Sequence, residues 1–163
     1  MLIDGTRTGI IHDGDLPGPH GFTWGFIALE YYALILNRVM AVLFTARNMV
    51  IVRVGDVVIA PHHLTDDWYE PLAYQTRRMV ARYAGVAVES DEVLRLDRVN
   101  RRAPLSEISG AAFEHAGKWG MGSVPYSGKI FLHGTRHRDE LILLGNQSGD
   151  EIVAQLRRTT AAP

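Results

Sequence analysis

A chain of 163 residues is long enough for one sizeable hydrophobic core and short for two. With 47% hydrophobic and 21% charged residues it is not disordered as a whole, and a formal net charge of −1 excludes a uniformly basic nucleic-acid binder. Cysteine is absent, which removes disulfides, thiol catalysis and thiolate metal sites together and fits a reducing, cytoplasmic setting.

Charge is unevenly spread. Residues 1–70 carry four Lys/Arg against eight Asp/Glu, residues 71–102 seven against four, and the remainder six against six. Positive charge therefore gathers in the middle of the chain. Asp4 and Arg7 interrupt the amino terminus before any apolar run, so no signal peptide is expected. The run 24–44 has the length of a membrane span but contains Glu30, Asn37 and Arg38, and placing two charges in hydrocarbon is costly; we expect a chain that is not transmembrane.

From the amino terminus, residues 6–12 can form a short strand, and HDGDLPGPHG is too rich in Gly, Pro and Asp for any regular element, so it reads as a loop or arm. Residues 24–36, WGFIALEYYALIL, are apolar almost all round. Their length allows a buried helix; two short strands are also admissible, and periodicity alone does not choose. The firmest local expectation is a β-hairpin over 39–56, VMAVLFTARNMVIVRVGD. Its two β-branched runs flank Thr45-Ala46-Arg47-Asn48, and Asn48 tolerates the positive φ of a tight turn.

The second strand can extend through 57–60 to Pro61, which cannot donate to a ladder. Pro71 suits the first turn of a helix predicted over 70–84 and ended by Gly85, with Leu72, Met79, Val80 and Tyr83 on its apolar stripe. Arg78 and Arg82, four apart, form a cationic ridge on another face. Ser90-Asp91-Glu92 caps a short helix to about Leu96. Strands follow at 99–103, 108–116, 128–133 and 140–144, separated by loops at 117–126 and 134–139. Ser148-Gly149-Asp150-Glu151 is a capping box ahead of a terminal helix with Ile152, Val153 and Leu156 on one side, and 159–163 reads as a frayed tail.

The tract AVLFTARNMVIVRVG at 41–55, EVLRLDRVNRRAPLSEISG at 92–110, GKIFLHG at 128–134 and DELILLGNQSGDEIVAQL at 139–156 together resemble the bacterial and archaeal pleckstrin-homology-like (PH-like) domain proteins. The resemblance covers about two thirds of the chain. It leaves 1–36 without a counterpart and makes the helix at 70–84 an insertion. It implies an α+β fold over 1–163, a PH-like antiparallel β-barrel or sandwich with a C-terminal capping helix and an inserted helical segment. It also implies a binding or assembly module that forms protein contacts, homo-oligomers among them, and not an enzyme.

Candidate chemistry is sparse. His62, His63, Asp66 and Asp67 carry metal-donor atoms, as do His12, Asp13 and Asp15, yet no spacing fixes them on one face, and we expect a solvated loop, no metal and no cofactor. His115, His133 and His137 are scattered. Ser106, Ser109, Ser123 and Ser127 lie in no nucleophile motif, and the glycines of KWGMGSVPYSGK match no phosphate-binding loop.

Trp119 and Met121 on that Gly-rich loop are candidate partner contacts. Arg77, Arg78, Arg82, Arg98, Arg101 and Arg102 are the best ligand candidates, because guanidiniums bind phosphate bidentately; anionic lipid or a phosphate ligand would suit them. Nucleic acid is disfavoured by the lack of interleaved aromatics. Against a binding role, Glu89, Asp91, Glu92 and Asp97 can neutralise the set across a solvated surface.

Overall fold

The computed structural model describes residues 9–33, 36–59, 71–115, 126–134, 138–145 and 147–161. Among these residues seven strands form a single antiparallel sheet: β1 (Trp24–Ala33), β2 (Leu36–Phe44), β3 (Asn48–Ile59), β4 (Arg101–Pro104), β5 (Ile108–Glu114), β6 (Tyr126–Gly134) and β7 (Arg138–Leu144), in the spatial order β4-β3-β2-β1-β7-β6-β5. Helices α1 (Arg77–Ala81) and α2 (Asp91–Arg95) lie between β3 and β4, and α3 (Gly149–Ala161) ends the chain.

Strands β4 and β5 stand at opposite margins of this sheet, yet a single 3-10 turn, Leu105–Glu107, joins them. Six strand spacings of about 4.8 Å would part them by roughly 29 Å if the sheet were flat. The connection spans at most about 15 Å. The sheet must curl, and it does, into a half-barrel whose concave side receives α3.

Both faces of the central strands are buried. On the concave side Trp24, Phe26, Ala28, Met40, Val42, Phe44, Met49, Ile51, Leu141 and Leu143 meet Ile152, Val153 and Leu156 of α3. On the convex side Ile27, Leu29, Val39, Ala41, Leu43, Val50, Val52 and Val54 lie under a second layer. That layer consists of the amino-terminal arm, through Ile11, Leu16 and Phe22, and of the insertion between β3 and β4, through Tyr74, Val80, Tyr83, Val86, Val88 and Val93. Strands covered on both sides lose the alternation that marks a half-exposed strand.

This burial corrects the helical reading of 24–36. Residues 24–33 are strand β1, paired with β2 from Trp24↔Phe44 to Ala33↔Leu36, and β2 opens at Leu36. The hairpin at 39–56 is present as β2 and β3, with Thr45 Oγ1 accepting from the backbone of Arg47 (3.2 Å) and Asn48 (2.9 Å) at the turn. Of residues 6–12, the described part makes one bridge, Ile11 to Gly25.

The single helix predicted at 70–84 is also corrected. A 3-10 turn, Pro71–Tyr74, precedes α1, and Thr76 between them is extended, with φ −97 and ψ 129. Tertiary hydrogen bonds decide this: the Thr76 N–H donates to Val54 O (2.9 Å), and Thr76 Oγ1 accepts from Asp56 N–H (3.1 Å). Gly85, at φ +73, then turns the chain as expected.

Ser90 caps α2 by accepting from Val93 N–H, and Ser148 caps α3 by accepting from Glu151 N–H. The tail at 159–163 is not frayed as far as it is described. Helix α3 runs to Ala161, and Thr159 Oγ1 accepts from Trp24 Nε1 at 3.0 Å, because the last turn seats on the barrel floor.

Candidate functional site

Three of the six candidate arginines are held inward. Arg82, at the end of α1, donates to Leu96 O and lies 3.5 Å from Asp97. Asp97, 10% exposed, also receives Arg53 at 3.6 Å. Arg102 on β4 donates to Glu89 O (2.7 Å) and pairs with Asp91 (2.8 Å).

Arg101 reaches across the concave face to Glu30 on β1 (3.1 Å) and Asp139 on β7 (2.9 Å), with Arg38 of β2 3.4 Å from the same Glu30. Two strands, β3 and β2, lie between β4 and β1 in the sheet, so Arg101 bridges the curl. It ties a margin of the half-barrel to its centre. Two carboxylates and two guanidiniums, mostly screened from water, balance one another there, an arrangement whose disruption strands an uncompensated charge.

Beneath the insertion, the buried Asn100 satisfies three groups. Its Nδ2 donates to Val93 O (2.7 Å) and to the Tyr83 hydroxyl (3.0 Å), and its Oδ1 accepts from Arg53 N–H (2.8 Å). The Tyr83 hydroxyl donates in turn to Arg53 O (2.8 Å). Burial raises the Tyr83 hydroxyl above its ordinary value of 10.0, against the lowering influence of Asn100 and of the Arg82 and Arg53 charges; burial also raises Tyr74. Glu89 completes the outer layer by accepting from Thr45 Oγ1 and from Asn48 Nδ2 (2.7 Å), which clamps the hairpin tip.

Arg77, Arg78 and Arg98 are different: all three are exposed, as is Arg95, which the sequence reading passed over. The candidate set is thus divided between a structural half, Arg82, Arg101 and Arg102, and a solvent-facing half.

A separate feature lies at the other margin of the sheet. Among the described residues β5 pairs with β6 alone, and no strand lies along its second edge. Between that edge and α3 runs an open groove of about 280 Å³, lined by Ile108, Ser109, Gly110, Ala111, Leu156, Arg157 and Thr160. Its floor is apolar and small, and Arg157 stands exposed on its rim. A Cβ added at Gly110 would meet nothing within 4 Å. The signal in sequence was the run Gly110-Ala111-Ala112, too small to fill a strand's flank.

Trp119 and Met121 lie outside the described residues, as do His62, His63, Asp66, Asp67, Ser123 and His137. In the arm, Asp15 Oδ2 accepts from His12 N–H (2.6 Å), Asp13 Oδ2 accepts from Gly21 N–H (2.9 Å), and Asp13 lies 3.6 Å from His20, so these aspartates shape the loop. Among the described residues no group of three or more His, Asp or Glu is placed to hold a metal ion, and no helix is long and apolar enough to cross a membrane. No family model, curated protein or solved structure matches the chain.

Proposed function

We propose that the chain is a PH-like binding and assembly module whose working surface is the open edge of β5 with the groove beside α3. The carrying observation is that edge. A strand margin presents unpaired N–H and C=O groups to any extended backbone laid beside it, and the groove offers side-chain room along the same line. The strand order and the terminal helix closing the concave side support the PH-like reading.

An extended polypeptide segment is the occupant that both features suit, a second copy of this chain included. The main-chain ladder would supply affinity, and Arg157 would favour a carboxylate on the incoming segment. The apolar segment 24–36 is the other place where the sequence admits self-association, and its residues 24–30 lie largely inside the core.

Gly110→Tyr tests the reading, since Gly110 lines the groove and a Cβ there meets nothing within 4 Å, which gives a larger side chain a way into it. Wild-type protein should show a light-scattering mass above 18.1 kDa that rises with concentration, or bind extended acidic peptides on an array, and the variant should lose that behaviour. A strict monomer removes the second copy as occupant. An array profile that Gly110→Tyr leaves unchanged removes the groove.

A further inference from the structure

We propose that the outer layer's solvent-facing arginines, Arg77, Arg78, Arg95 and Arg98, form a docking face for an anionic phospholipid bilayer. This stands apart from the β5 groove and rests on how the structure distributes the carboxylates of the same layer. Glu89 is engaged by Thr45 and Asn48, Asp91 by Arg102, and Asp97 by Arg53 and Arg82. Of the four acids that the sequence offered as neutralising partners, three are therefore bound to the scaffold. Among the described residues of 71–102, four exposed guanidiniums are left with Glu92 as the one exposed carboxylate outside these pairings.

The four belong to one neighbourhood. Arg82 lies one helical turn beyond Arg78, and its bonds to Leu96 O and Asp97 bring the end of α1 against the turn that carries Arg98, just past Arg95 at the end of α2. The segment 71–102 contains no lysine. A guanidinium is less strongly hydrated than an ammonium and meets phosphate oxygens with two parallel N–H groups, which suits a layer of phosphodiester headgroups.

Several features favour a bilayer over nucleic acid. Helices α1 and α2 have five residues each, too short to follow a groove. Among the described residues of 71–102 the tyrosines, Tyr74 and Tyr83, are buried and offer no ring for base stacking. The chain's net charge of −1 sets an acidic remainder against this basic face, so a plane that touches one side is attracted where a polyanion wrapped around the molecule is not.

The test is co-sedimentation of the full chain with phosphatidylcholine vesicles, with and without phosphatidylglycerol, at low and high salt. Binding should require phosphatidylglycerol and weaken with salt. Each arginine near an anionic surface contributes roughly fivefold, so Arg77→Glu or Arg98→Glu should each lower the partition coefficient by at least about fivefold and the fourfold reversal by at least about a hundredfold. Arg158→Glu, on α3, should leave it unchanged. Circular dichroism and melting of the same variants show that the fold is intact, because none of the four side chains forms a described internal bond.

Competition by inorganic phosphate at concentrations that leave ionic strength unchanged would assign the affinity to a free phosphate and overturn the bilayer. Absence of binding at low salt, equal loss in Arg158→Glu, or stronger binding to short double-stranded DNA than to the vesicles would also overturn it.

Discussion

The two faces of the sheet are covered in different ways. The concave face is closed by one regular element, the 13-residue α3, through a row of apolar side chains at helical spacing. The convex face is closed by an arm and an insertion with little regular structure, and these hold their place through polar side chains that reach backbone groups, Asn100, Tyr83, Arg82 and Thr76, and through Glu89, which accepts from the Thr45 and Asn48 side chains. A helix satisfies its own backbone, so α3 needs only an apolar stripe. Irregular chain does not, and each buried N–H or C=O it brings must find a specific partner. The first cover is therefore written in periodicity and the second in individual residues.

If that contrast is right, the largest single loss should come from the concave side. Trp24 is buried, stacks on Phe44 at a centroid distance of 4.2 Å and anchors Thr159 of α3. Trp24→Ala should cost ~3–5 kcal/mol and lower the whole unfolding transition, as read by denaturant titration followed by both far-UV signal and hydrogen exchange. Retention of most of the stability would mean that α3 is not coupled to the core in the way described.

Next comes Asn100→Ala, which leaves Arg53 N–H and Val93 O without their partner in a buried setting and takes one from the Tyr83 hydroxyl. The expected cost is ~2–4 kcal/mol. Its distribution matters more than its size: hydrogen exchange should quicken first in 71–100, while β6, β7 and α3 keep their protection. Uniform loss across the sheet would show that the two covers are not separable.

These same residues explain what could be read in advance. The hairpin at 39–56 was legible because two β-branched runs flank the turn residues Thr45-Ala46-Arg47-Asn48. β1 was not, because a strand buried on both faces shows neither a two-residue nor a 3.6-residue period. The helix at 70–84 was legible only in part: Pro71 and Gly85 mark its limits, but Thr76 bonds across to β3, and no local pattern records that.

At the arginines, pairing with Asp91 and Asp97 was open to inspection from nearness in sequence. Arg101 takes its acids from 71 and 38 positions away, and only the curl of the sheet brings Glu30 and Asp139 to it. The β5 groove had a faint sequence signal, its small residues, and no chemical one.

Alkaline titration sharpens the contrast from another direction. Both raised hydroxyls, Tyr83 and Tyr74, belong to the convex cover. A tyrosine held above its unfolded value of 10.0 favours the neutral form in the folded state, so its contribution to stability is complete below that pH. It is lost as pH climbs through the folded value. Melting temperature should therefore fall above about pH 10, with the convex cover loosening before α3. Tyr83→Phe should cost ~1 kcal/mol at neutral pH through its lost hydrogen bonds, yet show a shallower alkaline decline than wild type.

The smallest effect gives the cleanest comparison, because the same change can be made on each side. Ser90 caps α2 in the convex cover and Ser148 caps α3 on the concave side, each accepting from the backbone N–H three residues on. Alanine at either position removes one cap and should cost ~1 kcal/mol. Helix α3 carries Ile152, Val153 and Leu156 into the core, so its first turn cannot open without disturbing the barrel, and Ser148→Ala should lower the global transition. Helix α2 sends in only Val93 as a fully buried side chain and has five residues, so Ser90→Ala should appear mainly as faster exchange at 90–96 with the global midpoint little moved. Equal global shifts would show the convex cover to be as cooperative with the sheet as the helix opposite it, and an arginine-bearing layer so firmly fused would then have to meet any partner as a rigid face.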